Sequence, residues 1–303
     1  MINVVVLGST GMLGSTLTRV LEDNFAKVYE FNRSGVSVTK KNQARKINAL
    51  NSTDFSEIFS ELKIDYIINC IGMIRQLINP NDQSSVDSAY KINSDFPLKL
   101  NSYAKGLGIP VIQIGTDCVY SGKEGLYSED RPHDPSDIYG LTKDLGEQFS
   151  TYSMIIRCSI IGKELSTANS LLSWVLSNPK NSSINGYINH FWNGITVKHF
   201  SRIVYGIIKF SSFRLGVFHL VPQDIVTKYE LINSIAKHFD RSDLRVSKCK
   251  AEPGVNRSLI TNNPEQNLSF WQDGGYSEIP TVEEMVSSYA AWIKQIESKR
   301  SWS

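Results

Sequence analysis

Short apolar runs and helical periodicities alternate along the first half of the chain. INVVVLG, KVYEFN, IDYIINCIG, IPVIQIGT and MIIRCSII are β-rich, and the stretches between them are patterned for helix. Strands alternating with helices predict βαβ units and a parallel sheet. From Ser85 to Gly106 the apolar series Val86, Tyr90, Leu98, Leu100 and Ala104 predicts one long helix, closed by Gly106 and Gly108, and Asp137 to Thr151 predicts another. Past residue 160 the alternation loosens. Asn, Ser, Gly and Trp gather between Ser177 and Gly194, Val197 to Phe210 reads as helix and Gly216 to Val221 as strand. Lys228 to Phe239 and Val282 to Ile296 read as helices, with AEPGVNRSLITNNPE between them as loop.

The first strand runs directly into Gly8-Ser9-Thr10-Gly11-Met12-Leu13-Gly14, and a helical stretch from Met12 to Glu22 follows. Such a turn uses one glycine for its backbone angles, a second to let the backbone approach a pyrophosphate, and a third to pack helix on strand. Phosphate then rests on the helix N-terminus, where unsatisfied N–H groups and the dipole favour an anion. The alternative is a glycine-rich turn that binds nothing; the strand and helix on either side favour the dinucleotide. Lys27 to Phe31 is followed by Asn32-Arg33-Ser34, where an NAD binder places a carboxylate for the ribose 2′-hydroxyl. A guanidinium suits a 2′-phosphate, so NADP (as NADPH) is expected ahead of NAD, the alternative being that Arg33 is a solvated loop residue. Strand alternation takes Glu30 off the face of Phe31 and Arg33, and it is not assigned to ribose. The fold class expected is α/β: a Rossmann-type doubly wound parallel sheet in residues 1–160, completed by roughly 196–221. Residues 161–195 and 222–303 then form a smaller, irregular α/β lobe for substrate.

Tyr139-Gly140-Leu141-Thr142-Lys143 places a phenol and an ammonium at i and i+4, on one helix face. Reduction of a carbonyl by hydride needs a proton for the developing alkoxide, and a phenol supplies it if a nearby cation lowers its pKa toward neutrality. A second such pair, Tyr205 and Lys209, lies in IVYGIIKF, whose apolar positions read as packing against the sheet. The first pair is preferred because Val111 to Gly115 ends at Thr116-Asp117, and open parallel sheets bind ligands at the carboxyl ends of their strands. Thr116 is placed to hydrogen-bond a substrate carbonyl; an ordinary cap on the turn after the strand is its plainer reading.

Charge and cysteine usage narrow the partners. Thirty-two Lys+Arg balance 30 Asp+Glu, leaving +2 with no basic block, so nucleic acid and anionic membrane surfaces are not indicated. The apolar runs are strand-sized, well short of the roughly 20 residues that span a bilayer. With a strand starting at Ile2, no leader is expected and a cytoplasmic location is. Cys70, Cys118, Cys158 and Cys249 form no C-x-x-C pair and are expected to be reduced thiols; no ligand cluster suggests a metal.

Gly8/Gly11/Gly14, Thr116, Tyr139 and Lys143 together resemble the extended short-chain dehydrogenase/reductases acting on nucleotide-activated sugars. GTDCVYSG, YGLTKDLGE and RCSIIG look most like the dTDP-4-dehydrorhamnose reductase group. The resemblance implies a catalytic triad of Thr116, Tyr139 and Lys143, with Lys143 also on the nicotinamide ribose. It implies cofactor contacts from Gly8, Thr10, Gly11, Met12, Leu13, Gly14, Asn32, Arg33, Cys70, Ile71, Gly72 and Asn93. Substrate contacts would come from Met73, Arg75, Thr116, Asn189, His190, Trp192 and Arg257, and a homodimer is a family expectation. The sequence departs from the group's pattern at Asn48, where an aspartate often binds the adenine amine. Cys118 stands where a 4,6-dehydratase carries glutamate, which disfavours elimination. A cysteine there is similar to GDP-fucose synthase and the plant UDP-rhamnose synthases, where it serves C3/C5 epimerisation; a small buried thiol is the plainer reading. The implied activity is NADPH-dependent reduction of the C4 keto group of a 6-deoxy sugar nucleotide. Alternatives are a bifunctional 3,5-epimerase/4-reductase, a nucleotide-sugar 4-epimerase, and a non-catalytic NADP-binding regulatory subunit.

Overall fold

In β1 (Ile2–Leu7), Val4 and Val6 pack into one hydrophobic core while Val5 and Leu7 pack into another. Ile68 and Ile67 divide the same way in β4 (Tyr66–Asn69), as do Ile112 and Val111 in β5 (Val111–Ile114). A sheet whose alternate residues feed two cores has helices on both faces, which is why its strands are apolar throughout. The computed structural model describes residues 2–24, 26–39, 43–51, 54–165 and 167–300.

Seven parallel strands make the sheet. β2 (Ala26–Asn32) and β3 (Arg45–Lys46) extend it on one side of β1; β4, β5, β6 (Ser153–Arg157) and the strand Gly216–His219 extend it on the other. Direction reverses around β1, so the crevice at its carboxyl end, between the turns after β1 and β4, is a topological switch point. Helix α1 (Met12–Asp23) contributes Leu13, Leu17 and Leu21 to one core, with Phe200, Ile203, Val204 and Ile207 of the helix Val197–Lys209. Phe55 of α2 (Phe55–Ile58), Phe59, and Phe96, Leu100 and Ala104 of α4 (Phe96–Leu107) build the other.

The helix expected from Ser85 to Gly106 runs through, with one irregularity. Between α3 (Gln83–Tyr90) and α4, residues Lys91–Asp95 form a π-helical turn, next to Pro97 at the start of α4. Helices Lys228–His238 and Val282–Arg300 agree with the periodicity. The helix Pro264–Asp273 was not assigned; it begins inside the stretch expected as loop, with its proline in the first turn, where proline is tolerated. The strand Arg245–Cys249, parallel to Ser183–Tyr187, was also not foreseen: its alternation is weak and polar. His190–Trp192 pairs with Val226–Thr227 and with Val255–Asn256, bringing three distant segments together over the carboxyl end of the main sheet. Among the described residues, no helix is long and apolar enough to cross a membrane.

Candidate active site

The glycine turn has the shape expected of it. Gly8 has φ +80°, a conformation that favours glycine, and a methyl at Gly14 would collide with the Gly8 carbonyl. Gly11 caps α1 with no side-chain hydrogen bond and no acid in the first turn, leaving its N–H groups for an external anion. Thr10 and Gly11 are exposed, Met12 is half-buried and Leu13 is a core residue. Asn32 shapes the neighbouring loop: its amide donates to Ser9 Oγ (2.8 Å) and the Val36 carbonyl (3.0 Å), and accepts from Ser34 Oγ and Gly35 N. With both donors used, it serves to present the exposed Arg33 rather than to bind a ribose itself. Glu30 is fully buried and engaged by Ser37 and Val38.

Thr116 lies just past β5, and its Oγ1 accepts from Cys118 N (3.2 Å), capping the short turn Asp117–Val119. The plain capping role is therefore real. The same side chain acts on Tyr139, the second residue of α5 (Ile138–Gln148), so strand end and helix meet there. Asp137 caps α5 through Gly140 N (2.8 Å) and is held by Arg75 Nε (3.1 Å). A methyl at Gly140 would strike the Cys118 carbonyl, and one at Gly146 the Asn93 carbonyl, so these glycines let the helix seat against both turns. Asn93 Oδ1 accepts from Met73 N (2.8 Å), and its Nδ2 donates to the Met73 carbonyl and Thr142 Oγ1 (both 3.0 Å). It clamps the segment after β4 to α5, a structural task in place of the cofactor contact expected of it.

Lys143 is buried, and Nζ donates to the Ile114 carbonyl at 2.6 Å. Burial lowers its pKa, opposed by Glu147 and Cys70. The expectation that Lys143 pulls Tyr139 down is corrected here. Burial pushes the phenol above its ordinary value, Cys118, Asp117 and Glu147 push further, and the Thr116 hydrogen bond opposes them. The i,i+4 spacing places both residues on one face, but a four-carbon stem carries the ammonium down to the strand-end carbonyl. Cys118 is corrected as a proton-abstracting base as well: burial and then Asp117 push its thiol to about 12, so it stays protonated at neutral pH. Cys70 is likewise pushed by burial to about 12.

The other expected substrate residues separate. Arg257 and Lys228, the latter a half-buried residue not singled out by sequence, both act electrostatically on His190 and on Asp117. Trp192 is buried, its indole N–H is used by Ser159 Oγ (2.8 Å), and its ring lies 5.4 Å from Lys228 Nζ. Asn189 pairs with both backbone groups of Ala251, at 2.8 and 2.9 Å. Tyr205 and Lys209 form a ring contact on the helix Val197–Lys209, as expected of a packing pair. They border a cavity of about 480 Å³ with Lys198, Arg202 and Trp292, remote from the strand ends.

Behind the site lies a polar network that sequence reasoning missed. Arg157, fully buried at the end of β6, donates Nε (3.1 Å) and Nη2 (2.6 Å) to Glu147, Nη1 to Tyr120 OH (2.8 Å) and His219 Nε2 (2.9 Å), and Nη2 to His133 Nε2 (3.0 Å). Glu147 in turn accepts from Thr116 N (3.3 Å). A single charge in the apolar run MIIRCSII was the available signal.

The groups that meet at these strand ends define the class: a dinucleotide-binding Rossmann fold of the extended short-chain dehydrogenase/reductase type. Within that class the chain belongs to the family described as RmlD substrate binding domain, which matches residues 2–258. It is 28% identical over 145 residues to dTDP-4-dehydrorhamnose reductase of Streptomyces griseus, a match spanning 48% of this chain and 43% of that protein. It is 23% identical over 250 residues to methionine adenosyltransferase 2 subunit beta of Bos taurus, spanning 78% of this chain and 72% of the relative. The fold superposes on dTDP-4-dehydrorhamnose reductase of Bacillus anthracis, solved in complex with NADP, with TM-score 0.76, 20% identity and coverage of 95% and 99% of the two chains.

Proposed function

We propose that this chain reduces the C4 keto group of a nucleotide-activated 6-deoxy sugar with NADPH. The observation carrying the reading is that Thr116, just past β5, and Tyr139 of α5 act on one another two strands from the open glycine turn after β1. The turn fits a dinucleotide because its helix end has no internal cap. The backbone of Gly8, Thr10, Gly11, Met12, Leu13 and Gly14 would hold the diphosphate, Arg33 a 2′-phosphate, and Cys70, Ile71, Gly72 and Lys143 the nicotinamide half. Bound there, reduced nicotinamide supplies hydride.

The chain's own residues do the rest. Thr116 orients the ketone oxygen. Tyr139 gives that oxygen its proton as charge develops on it. The phenol is protonated at neutral pH, the form that can donate; burial holds its pKa up, so it gives the proton only as charge develops on the ketone oxygen. Lys143 donates to the Ile114 carbonyl, which fixes its amino group beneath the site. The protonated Cys118 supports reduction without C3/C5 epimerisation.

The test is mass spectrometry of products from NADPH and a panel of 4-keto sugar nucleotides in heavy water. Addition of one H2 equivalent supports the reading, extra carbon-bound deuterium at C3 or C5 restores the bifunctional alternative, and no product across the panel overturns it. The long match to methionine adenosyltransferase 2 subunit beta favours a second reading, a subunit acting without turnover; a stable hetero-complex with no reductase activity would decide for it.

Arg33 sets the cofactor. Arg33→Ala is expected to raise KM for NADPH about 10- to 100-fold, as loss of a charge-assisted phosphate contact does, and to leave KM for NADH unchanged. Steady-state kinetics with both cofactors checks it.

A further inference from the structure

Lys228 breaks a local rule. It is the first residue of the helix Lys228–His238, where the dipole disfavours a cation, and the capping box of Thr227 and Glu230 already completes that helix end. Among the described residues no carboxylate stands within ion-pair distance of its ammonium. Its near neighbours are the Trp192 ring at 5.4 Å and, further off, Asp117 and Cys118, the two residues after Thr116. Burial pulls the ammonium down to about 8. A half-buried cation with no carboxylate in ion-pair distance is held there at a cost, and departures from local preference of this kind are expected at functional sites.

Two neighbours are also incompletely used. Arg257 is fixed by Nε to the Tyr120 carbonyl (2.8 Å) and by Nη2 to Ser136 Oγ (3.2 Å), and among the described residues Nη1 has no hydrogen bond. His190 Nε2 is buried with no hydrogen-bond partner among the described residues. Burial, with Lys228 and Arg257 nearby, keeps the ring neutral, so one of its nitrogens is an acceptor. Two cations therefore face one carboxyl, Asp117, and the pocket lacks an anion.

We propose that Lys228 and Arg257 bind an oxyanion carried by the substrate, a diphosphate or a sugar carboxylate, and that His190 Nε2 accepts a sugar hydroxyl beside it. This rests on the nucleotide-sugar reading and adds a charge requirement to it. Because Lys228 acts on Asp117 and Cys118, the two residues after Thr116, the anion is placed toward the hexose side of the cleft.

The full-length chain is titrated with UDP, UDP-glucose and UDP-glucuronate, and with the thymidine diphosphate counterparts, by calorimetry. Lys228→Gln is compared with Lys228→Arg, and NADPH affinity serves as the fold control. Lys228→Gln is expected to weaken binding about 10- to 100-fold and Lys228→Arg to restore most of it. Loss confined to the glucuronate assigns the carboxylate; equal loss across the series assigns the diphosphate; both support the anchor. Unchanged affinities overturn it, while turnover of a 4-keto sugar nucleotide by the same variant would leave the reductase reading intact. Weakened binding in the variant without turnover by the wild type keeps the anchor and removes the reductase. Failure of the wild type to bind any of these probes overturns both.

Discussion

Tyr139→Phe lowers kcat for ketone reduction by about 10²- to 10⁴-fold, the range for loss of a positioned general acid, and leaves NADPH affinity within about twofold. The ring is retained, so packing of α5 against the Cys118 and Asn93 carbonyls is undisturbed. Only the hydroxyl is removed, and with it the proton for the developing alkoxide. The sign of the pH dependence follows from the direction of the shift. The protonated phenol is the active form, and its pKa is raised by burial, then by Cys118 and Asp117. Wild-type kcat should thus stay level through neutral and mildly alkaline pH and fall only as the phenol ionises above its ordinary value. Stopped-flow measurement of NADPH oxidation separates this from slow product release. A variant as fast as wild type would place the proton donor elsewhere.

How much of this was readable beforehand depends on whether a residue's meaning is local. The turn from Gly8 to Gly14 was legible because strand, turn and helix are contiguous and glycine spacing reports backbone geometry directly. Tyr139 and Lys143 could be preferred over Tyr205 and Lys209 because only the first pair follows a strand end carrying a hydroxyl. The destination of the Lys143 ammonium was not legible: helical spacing fixes a face, whereas the Ile114 carbonyl that captures it lies on another element. Asn93 was located correctly on its helix, but its partners, Met73 and Thr142, are far away in sequence, and they turn it from a ligand contact into a clamp. Lys228 and Asp117 are 111 positions apart, and neither is unusual until the fold brings their charges within range of one another. The helix that begins at Pro264 was missed for a local reason, since proline starts helices as readily as it ends them.

The buried guanidinium of Arg157 yields the largest expected effect on stability. Each of its five N–H groups has an acceptor, and Glu147 supplies the compensating charge. His219 donates Nδ1 to the Ile260 carbonyl (2.7 Å), which leaves Nε2 as acceptor; burial, and then Arg157, hold its pKa down to about 4, consistent with a neutral ring. Arg157→Met leaves the Glu147 carboxylate buried without its partner, and breaking such a pair costs about 3–5 kcal/mol. For a chain of this size that lowers Tm by roughly 6–10 °C, measurable by calorimetry. Adding Glu147→Gln to Arg157→Met removes the stranded charge and should recover at least half of the loss, because the ion pair itself contributes little net stability once desolvation is counted. Activity does not recover with it: Glu147 also receives the Thr116 backbone N–H at 3.3 Å, and a neutral amide holds that strand end less firmly. A single variant within about 1 kcal/mol of wild type would mean that water enters and solvates the carboxylate, and that the network behind Thr116 is looser than its geometry implies.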